Sequence, residues 1–148
     1  MHDEAHDLAM ALRGAYLTMH RKADSFFVKH GVTADQYVLL HLLARESGVT
    51  QQTLVAGASS DPSTVRAMLL LLEGRGLVKR ERHPIDGRAR SVSITKKGLT
   101  IYRRLRSAFE PFLAQFVSGF RPEEVQTLQG LLRRVPPVLT PHPRTDPG

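Results

Sequence analysis

Residues 50–95 read TQQTLVAGASSDPSTVRAMLLLLEGRGLVKRERHPIDGRARSVSIT, and the spacing of apolar residues changes within them. Thr50 stands as a cap before a short helix, Gln51 to about Ala58, whose strong core residue is Leu54. Ser59-Ser60-Asp61-Pro62 then breaks the chain and starts it again. Asp61 is a good N-cap, and Pro62 falls at the first helical position, where its missing N–H costs nothing. From there to about Arg75, Val65, Met68, Leu69 and Leu72 recur at the spacing of one helix face, and Gly76 ends the run. After Gly76 the period becomes two. Leu77–His83 and Arg88–Ile94 read as strands joined by Pro84-Ile85-Asp86-Gly87, and Asp-Gly is a strong hairpin signal. The order is helix, turn, helix, two-stranded ribbon.

The flanks are helical. Upstream, Leu8, Leu12, Ala15, Met19 and Phe26 lie on one face of a long helix from Glu4 to Lys29, closed by Gly31. Thr33 caps a second helix carrying Tyr37, Leu40, Leu43 and Ala44 through about Glu46. Downstream, Thr95 caps a helix on which Tyr102, Leu105, Phe109, Phe112 and Phe116 step by 3, 4, 3 and 4, the spacing of a helix-pairing seam. Pro111 is expected to kink or split it. Pro122 opens a sixth helix with Val125, Leu128, Leu131 and Leu132. Beyond Val135 five prolines fall within a dozen residues, which predicts a disordered or extended tail. The expected fold is mainly α with a small β-hairpin wing: a winged helix-turn-helix lobe plus a long-helix dimerisation domain. One regulator domain spans 1–135, with the lobe at about 33–95, dimerisation helices at about 4–30 and 96–135, and a Pro-rich tail at 136–148.

Composition narrows the chemistry. The 148 residues contain no cysteine, which removes disulfides, thiolate ligands and thiol redox sensing, and favours a reducing compartment. The longest apolar run, Ala67–Leu72, is too short for a membrane span, and the acidic start Met-His-Asp-Glu is unlike a signal peptide. A cytoplasmic protein with no membrane partner is expected. Net charge is +7, and twelve of the 21 Lys and Arg but four of the 14 Asp and Glu lie between Ser59 and Arg106. Such a block is either a solvated face or the footprint of a polyanion.

The ribbon and helices favour the second alternative. A helix fits the major groove, the helix before it fixes the angle, and a basic hairpin reaches the neighbouring minor groove. The apolar stripe of the helix after Pro62 leaves Ser63, Thr64, Arg66 and Ala67 outward, small hydroxylic side chains plus one Arg that suit base edges. Gln51 and Gln52 stand where phosphates would be met, and the hairpin carries Lys79, Arg80, Arg82, Arg88 and Arg90, with Asp86 placed to orient Arg88. Three segments in order, Leu72-Glu73-Gly74-Arg75-Gly76-Leu77-Val78, Asp86-Gly87-Arg88 and Val92-Ser93-Ile94-Thr95-Lys96-Lys97-Gly98, make the chain resemble the MarR family, the multiple-antibiotic-resistance regulators. The resemblance covers roughly residues 5–135. It implies a homodimer whose first, fifth and sixth helices interlock, two lobes on an inverted-repeat operator in double-stranded DNA, and an anionic or phenolic ligand between lobe and dimer domain. The chain departs from the family at Leu70 and Leu71, where polar residues are more usual; these leucines either pack on the hairpin or first helix, or wall a ligand cavity.

The expected dimer interface comprises Leu8, Leu12, Tyr102, Leu105, Phe109, Phe112, Phe116, Leu128, Leu131 and Leu132. Tyr16, His20, Tyr37 and His41 are the candidate contacts for a small aromatic or anionic effector; the plainer reading has them partly buried and bonded to nearby backbone. No cofactor is expected. His2 and His6 share a helical face without a carboxylate partner set, so no metal site is assigned. There is no Gly-rich phosphate loop, no nucleophile elbow and no His-Glu-x-x-His, so the chain is not read as an enzyme. It is read as a transcriptional repressor released by its ligand, the alternative being a winged-helix module without a small ligand, working through protein–protein contacts.

Overall fold

A computed structural model of the chain describes residues 3–82, 85, 87 and 90–140. The elements in order are α1 (Asp3–Lys29), α2 (Ala34–Arg45), β1 (Val49–Thr50), α3 (Gln51–Gly57), α4 (Pro62–Gly74), β2 (Val78–Arg82), β3 (Arg90–Ile94), α5 (Lys96–Val117), α6 (Pro122–Leu132) and α7 (Val135–Leu139). The expected mainly helical fold with a small antiparallel sheet is present. Asp86 and Arg88, and with them the expected fork at the hairpin tip, lie outside the described residues.

Local chemistry sets the helix ends. Thr33 opens α2 with a reciprocal box, its hydroxyl accepting from Gln36 N and its own N–H donating to Gln36 Oε1, both at 3.0 Å. Thr50 caps α3 and Asp61 caps α4. At the end of α4, Gly76 at φ 75° allows Leu77 N to reach back to Leu72 O at 3.0 Å and Gly76 N to reach Glu73 O at 2.9 Å. Both leucines of that turn are buried, so the helix stop is also a core contact.

The sheet has the order β1-β3-β2. The hairpin register sets Val78 opposite Ile94, Arg80 opposite Val92 and Arg82 opposite Arg90. A third strand joins it that the sequence reading did not include: Val49 and Thr50 pair with Val92 and Ser91. This strand anchors the wing to the start of α3, so helix and ribbon share one backbone network.

The chain divides into two compact units, Met1–Phe109 and Glu110–Gly148. In the first, Leu39, Leu40, Leu43, Leu54, Val65, Leu69, Leu72 and Val92 form a core with almost no exposed surface. Asp24 of α1 accepts from Ala34 N at 2.9 Å and ties α1 to the start of α2. Phe27 lies 4.2 Å from the Tyr37 ring and 4.5 Å from Phe109. Tyr102, Leu105 and Phe109, expected on a seam between copies, are at most 7% exposed and serve the protomer's own core. The ring partners of Tyr102 and Phe109 come from α1 and α2, which the spacing along one helix could not reveal.

Of the two outcomes expected at Pro111, the split does not occur: the helix runs unbroken from Lys96 to Val117. One further expectation is corrected. After Val135 the chain forms a turn of helix to Leu139, with Thr140 N donating to Pro136 O at 2.9 Å, rather than continuing extended or disordered at once. Prolines at the first positions of a helix lack only N–H groups that would have had no intrahelical acceptor, so Pro136 and Pro137 are compatible with it.

Candidate nucleic-acid interface

The start of α4 is built tightly. Asp61 accepts from Thr64 N at 2.9 Å through one carboxylate oxygen and from the Thr64 hydroxyl at 2.7 Å through the other. The Thr64 backbone N–H is the largest cause of the lowered Asp61 pKa, so the cap is held as a carboxylate. The Thr64 hydroxyl proton is therefore engaged in the cap, leaving its oxygen as an acceptor. Gln51 Nε2 donates to Pro62 O at 3.2 Å, which couples the first turn of α3 to the first turn of α4. Gln52, Ser63, Arg66 and Ala67 are exposed. The turn between the helices carries Ser59 at φ 49°, the one non-glycine positive φ among the described residues.

The wing is braced from the same helix. Arg80 of β2 donates through Nε and Nη2 to the two carboxylate oxygens of Glu73 on α4, both at 3.2 Å. The Arg80 hydrogen bond is the main cause of the lowered Glu73 pKa. Lys79 pairs with Glu81 at 3.2 Å. Arg82 and Arg90 are both exposed and stand directly opposite each other in the ladder. Like charges at opposed ladder positions repel, and a polyanion laid across them relieves that cost. The sequence placed Arg80 among the hairpin's basic residues without assigning it a partner; the structure makes it the brace.

Of the four candidate ligand contacts, the structure brings together two pairs. Tyr37 and His41 stack at 6.1 Å, and His41 Nδ1 is hydrogen-bonded to Tyr102 Oη at 2.7 Å. Tyr16 and His20 stack on one another at 5.6 Å along α1, with Tyr16 well exposed. Burial lowers the His41 pKa most, and Arg45 and Arg106 lower it further. A cleft of about 230 Å³ that His41 lines lies against α2, β1 and α3, with Arg45, Val49, Thr53 and Gly57 around it. The expected walls were the first and second helices; this cleft turns His41 toward the third. Among the described residues no group of three or more His, Asp or Glu is placed to hold a metal ion.

Comparison with known proteins agrees with this geometry. The MarR family model matches residues 32–89, which contain α2 to β2. The transcriptional regulator MgrA of Staphylococcus aureus is 30% identical over 135 residues, 90% of each chain. The chain belongs to the MarR family. It is a transcriptional regulator and not an enzyme. The PcaV regulator of Streptomyces coelicolor, solved with its natural ligand, is 30% identical with a TM-score of 0.71 over 86% of this chain and 88% of its own. A mutant MarR of Escherichia coli complexed with operator DNA shares the fold at a TM-score of 0.80 and 23% identity, over 90% of this chain and 96% of its own.

This MarR-family chain leaves large apolar side chains uncovered in each of its units. In the first unit they include Leu8 and Leu12 of α1; in the second, Phe116 of α5 and Leu128, Leu131 and Leu132 of α6. Phe112 is half-buried. Leu70 and Leu71 are 47% and 60% exposed, so the expected packing on hairpin or first helix is overturned. They lie on the outward side of α4, opposite the Val65–Leu69–Leu72 stripe that fills the core. Among the described residues, no helix is long and apolar enough to cross a membrane.

Proposed function

We propose that this regulator acts as a two-fold homodimer that binds an inverted-repeat operator in double-stranded DNA and represses transcription until a small aromatic or anionic ligand releases it. The carrying observation is the exposed face of α4 at Ser63, Arg66 and Ala67, set at a fixed angle by Gln51 from one side and by the Glu73–Arg80 pair from the other. In this reading α4 enters the major groove, Gln51 and Gln52 meet phosphates, and the wing cations Arg82, Arg88 and Arg90, with Asp86 orienting Arg88, follow the minor groove. The homodimer covers Leu8, Leu12, Phe116, Leu128, Leu131 and Leu132 of each copy. Binding of operator DNA by a relative of the same fold, and of a natural ligand by PcaV, supports both halves of the reading.

The ligand site is assigned to the His41 side of α2. A neutral imidazole flanked by Arg45 and backed by Tyr37 and Tyr102 suits an aromatic anion, with Tyr16 and His20 as further contacts. A ligand that prefers a lobe geometry unable to span both half-sites lowers DNA affinity by that preference. The experiment selects bound duplexes from a random pool, then titrates aromatic carboxylates and phenols against the complex with wild type and His41→Ala. Selection of an inverted repeat and release by at least one compound, weakened in His41→Ala, is expected. Failure to enrich any duplex overturns the DNA reading, and release that is absent or identical in the variant overturns the ligand site.

A further inference from the structure

The outward face of α4 changes character along its length. Its first half presents Ser63 and Arg66; its second presents Ala67, Leu70, Leu71 and Gly74, all exposed. A Cβ on Gly74 would meet nothing within 4 Å, so the face is open to its end. Two leucines at 47% and 60% exposure on an amphipathic helix whose other side is fully buried are not core residues. Arg66 on the same helix and the wing cations Arg82 and Arg90 are exposed, and Arg90 stands close enough to help lower the pKa of Glu73 on α4. An apolar ridge framed by cations is a poor match for an acidic peptide, which would leave the leucines without a partner. It is a good match for a groove with phosphates along its edges and an apolar group on its floor. The thymine C5-methyl is the apolar group that the major groove displays.

Resting on the DNA reading above, we infer that Leu70 and Leu71, with Ala67 beside them, recognise thymine methyl groups, so that part of this regulator's base selection is apolar rather than hydrogen-bonded. Ser63, Ala67 and Leu70 stand four and three residues apart and so line one ridge of the helix. The small side chains let the helix approach the base edges closely enough for the leucines to reach. The half-site is accordingly expected to carry thymines beneath the second half of α4.

The test replaces single thymines of the duplex selected from a random pool by deoxyuridine, which removes the methyl and keeps every hydrogen-bonding group. Affinities are measured for wild type, Leu70→Ala and Leu71→Ala. Both positions are exposed, so fold and dimer are retained, as circular dichroism and light scattering check. At one or two thymines per half-site, deoxyuridine is expected to weaken wild-type binding about fourfold, the worth of one buried methyl group. In the variant lacking the contact the same replacement changes little. Deoxyuridine without effect at every thymine, or an equal loss in wild type and both variants, overturns the inference and leaves the DNA reading standing. A pool from which no duplex is enriched overturns the DNA reading itself.

Discussion

Gly98, in the first turn of α5, has no room for a side chain. A Cβ there would run into the carbonyl oxygen of Leu77 and stand 2.8 Å from Ile94 Cγ1. The backbone of α5 therefore lies directly on the turn between α4 and β2, an approach secured by the Thr95 hydroxyl donating to Gly76 O at 2.6 Å. Gly98→Ala should force the two apart and cost about 1–3 kcal/mol in urea unfolding, the scale of an overpacked core. An unchanged midpoint would contradict that close contact. His41 predicts a pH effect. Its folded pKa lies below the ordinary 6.5, chiefly through burial, so the native state binds fewer protons than the unfolded chain as pH falls below that value. The stability associated with neutral His41 is complete above pH 6.5 and is lost as pH drops through the lowered folded value. Wild type should lose more stability than His41→Gln between pH 7.5 and a more acidic buffer, and equal losses would contradict the assignment. The caps at Thr33, Thr50 and Asp61 were legible in the sequence because capping is local chemistry. The His41–Tyr102 bond was not, because it joins residues 61 positions apart.

At the scale of elements, the wing is not an independent arm. Its strand β2 is clamped to α4 through Glu73 and Arg80, and β1 holds its other edge. Glu73→Gln should loosen the wing while leaving the fold intact, weakening DNA binding about two- to fivefold, the scale of a partly exposed ion pair. A double-mutant cycle with Arg80→Gln should be non-additive, since both groups act as one clamp. Tighter binding by Glu73→Gln would instead mark Arg80 as a phosphate contact that Glu73 restrains. Helices α1 to α6 were readable from apolar period and turn residues within a residue or so at most ends. The two-residue strand β1 was hidden because a pair of residues has no period; Val49 and Thr50, β-branched and following Gly48 at φ 75°, were the available signal. The packing of Leu70 and Leu71 on hairpin or first helix was misjudged for a related reason. The Val65–Leu69–Leu72 stripe was legible from its spacing, but whether any distant element covers the opposite side of α4 is visible only in the fold.

The whole molecule carries more exposed apolar surface than a lone chain of this size comfortably presents to water, with Leu8 at 72%, Leu131 at 52% and Phe116 at 47%. Coverage by a second copy predicts a solution mass of twice 16.5 kDa. Leu131→Asp, on a surface residue of α6, should shift light scattering toward the single-chain mass with helical circular dichroism retained; an unchanged mass would remove α6 from the interface. Substituting Phe109 would not serve, because its ring packs in the protomer's own core and its removal is expected to destabilise the fold itself. A dimer of winged lobes has one geometric consequence that neither a lone winged helix nor a protein-binding module shares. Its recognition helices must meet two half-sites about one DNA turn, roughly 34–36 Å, apart. The most direct measurement is hydroxyl-radical footprinting of the selected duplex with the number of bound chains determined in the same solution. Two chains per duplex, protecting two inverted half-sites one turn apart on the same face, is the predicted result. One chain on a single half-site, or protection without sequence preference, would contradict it.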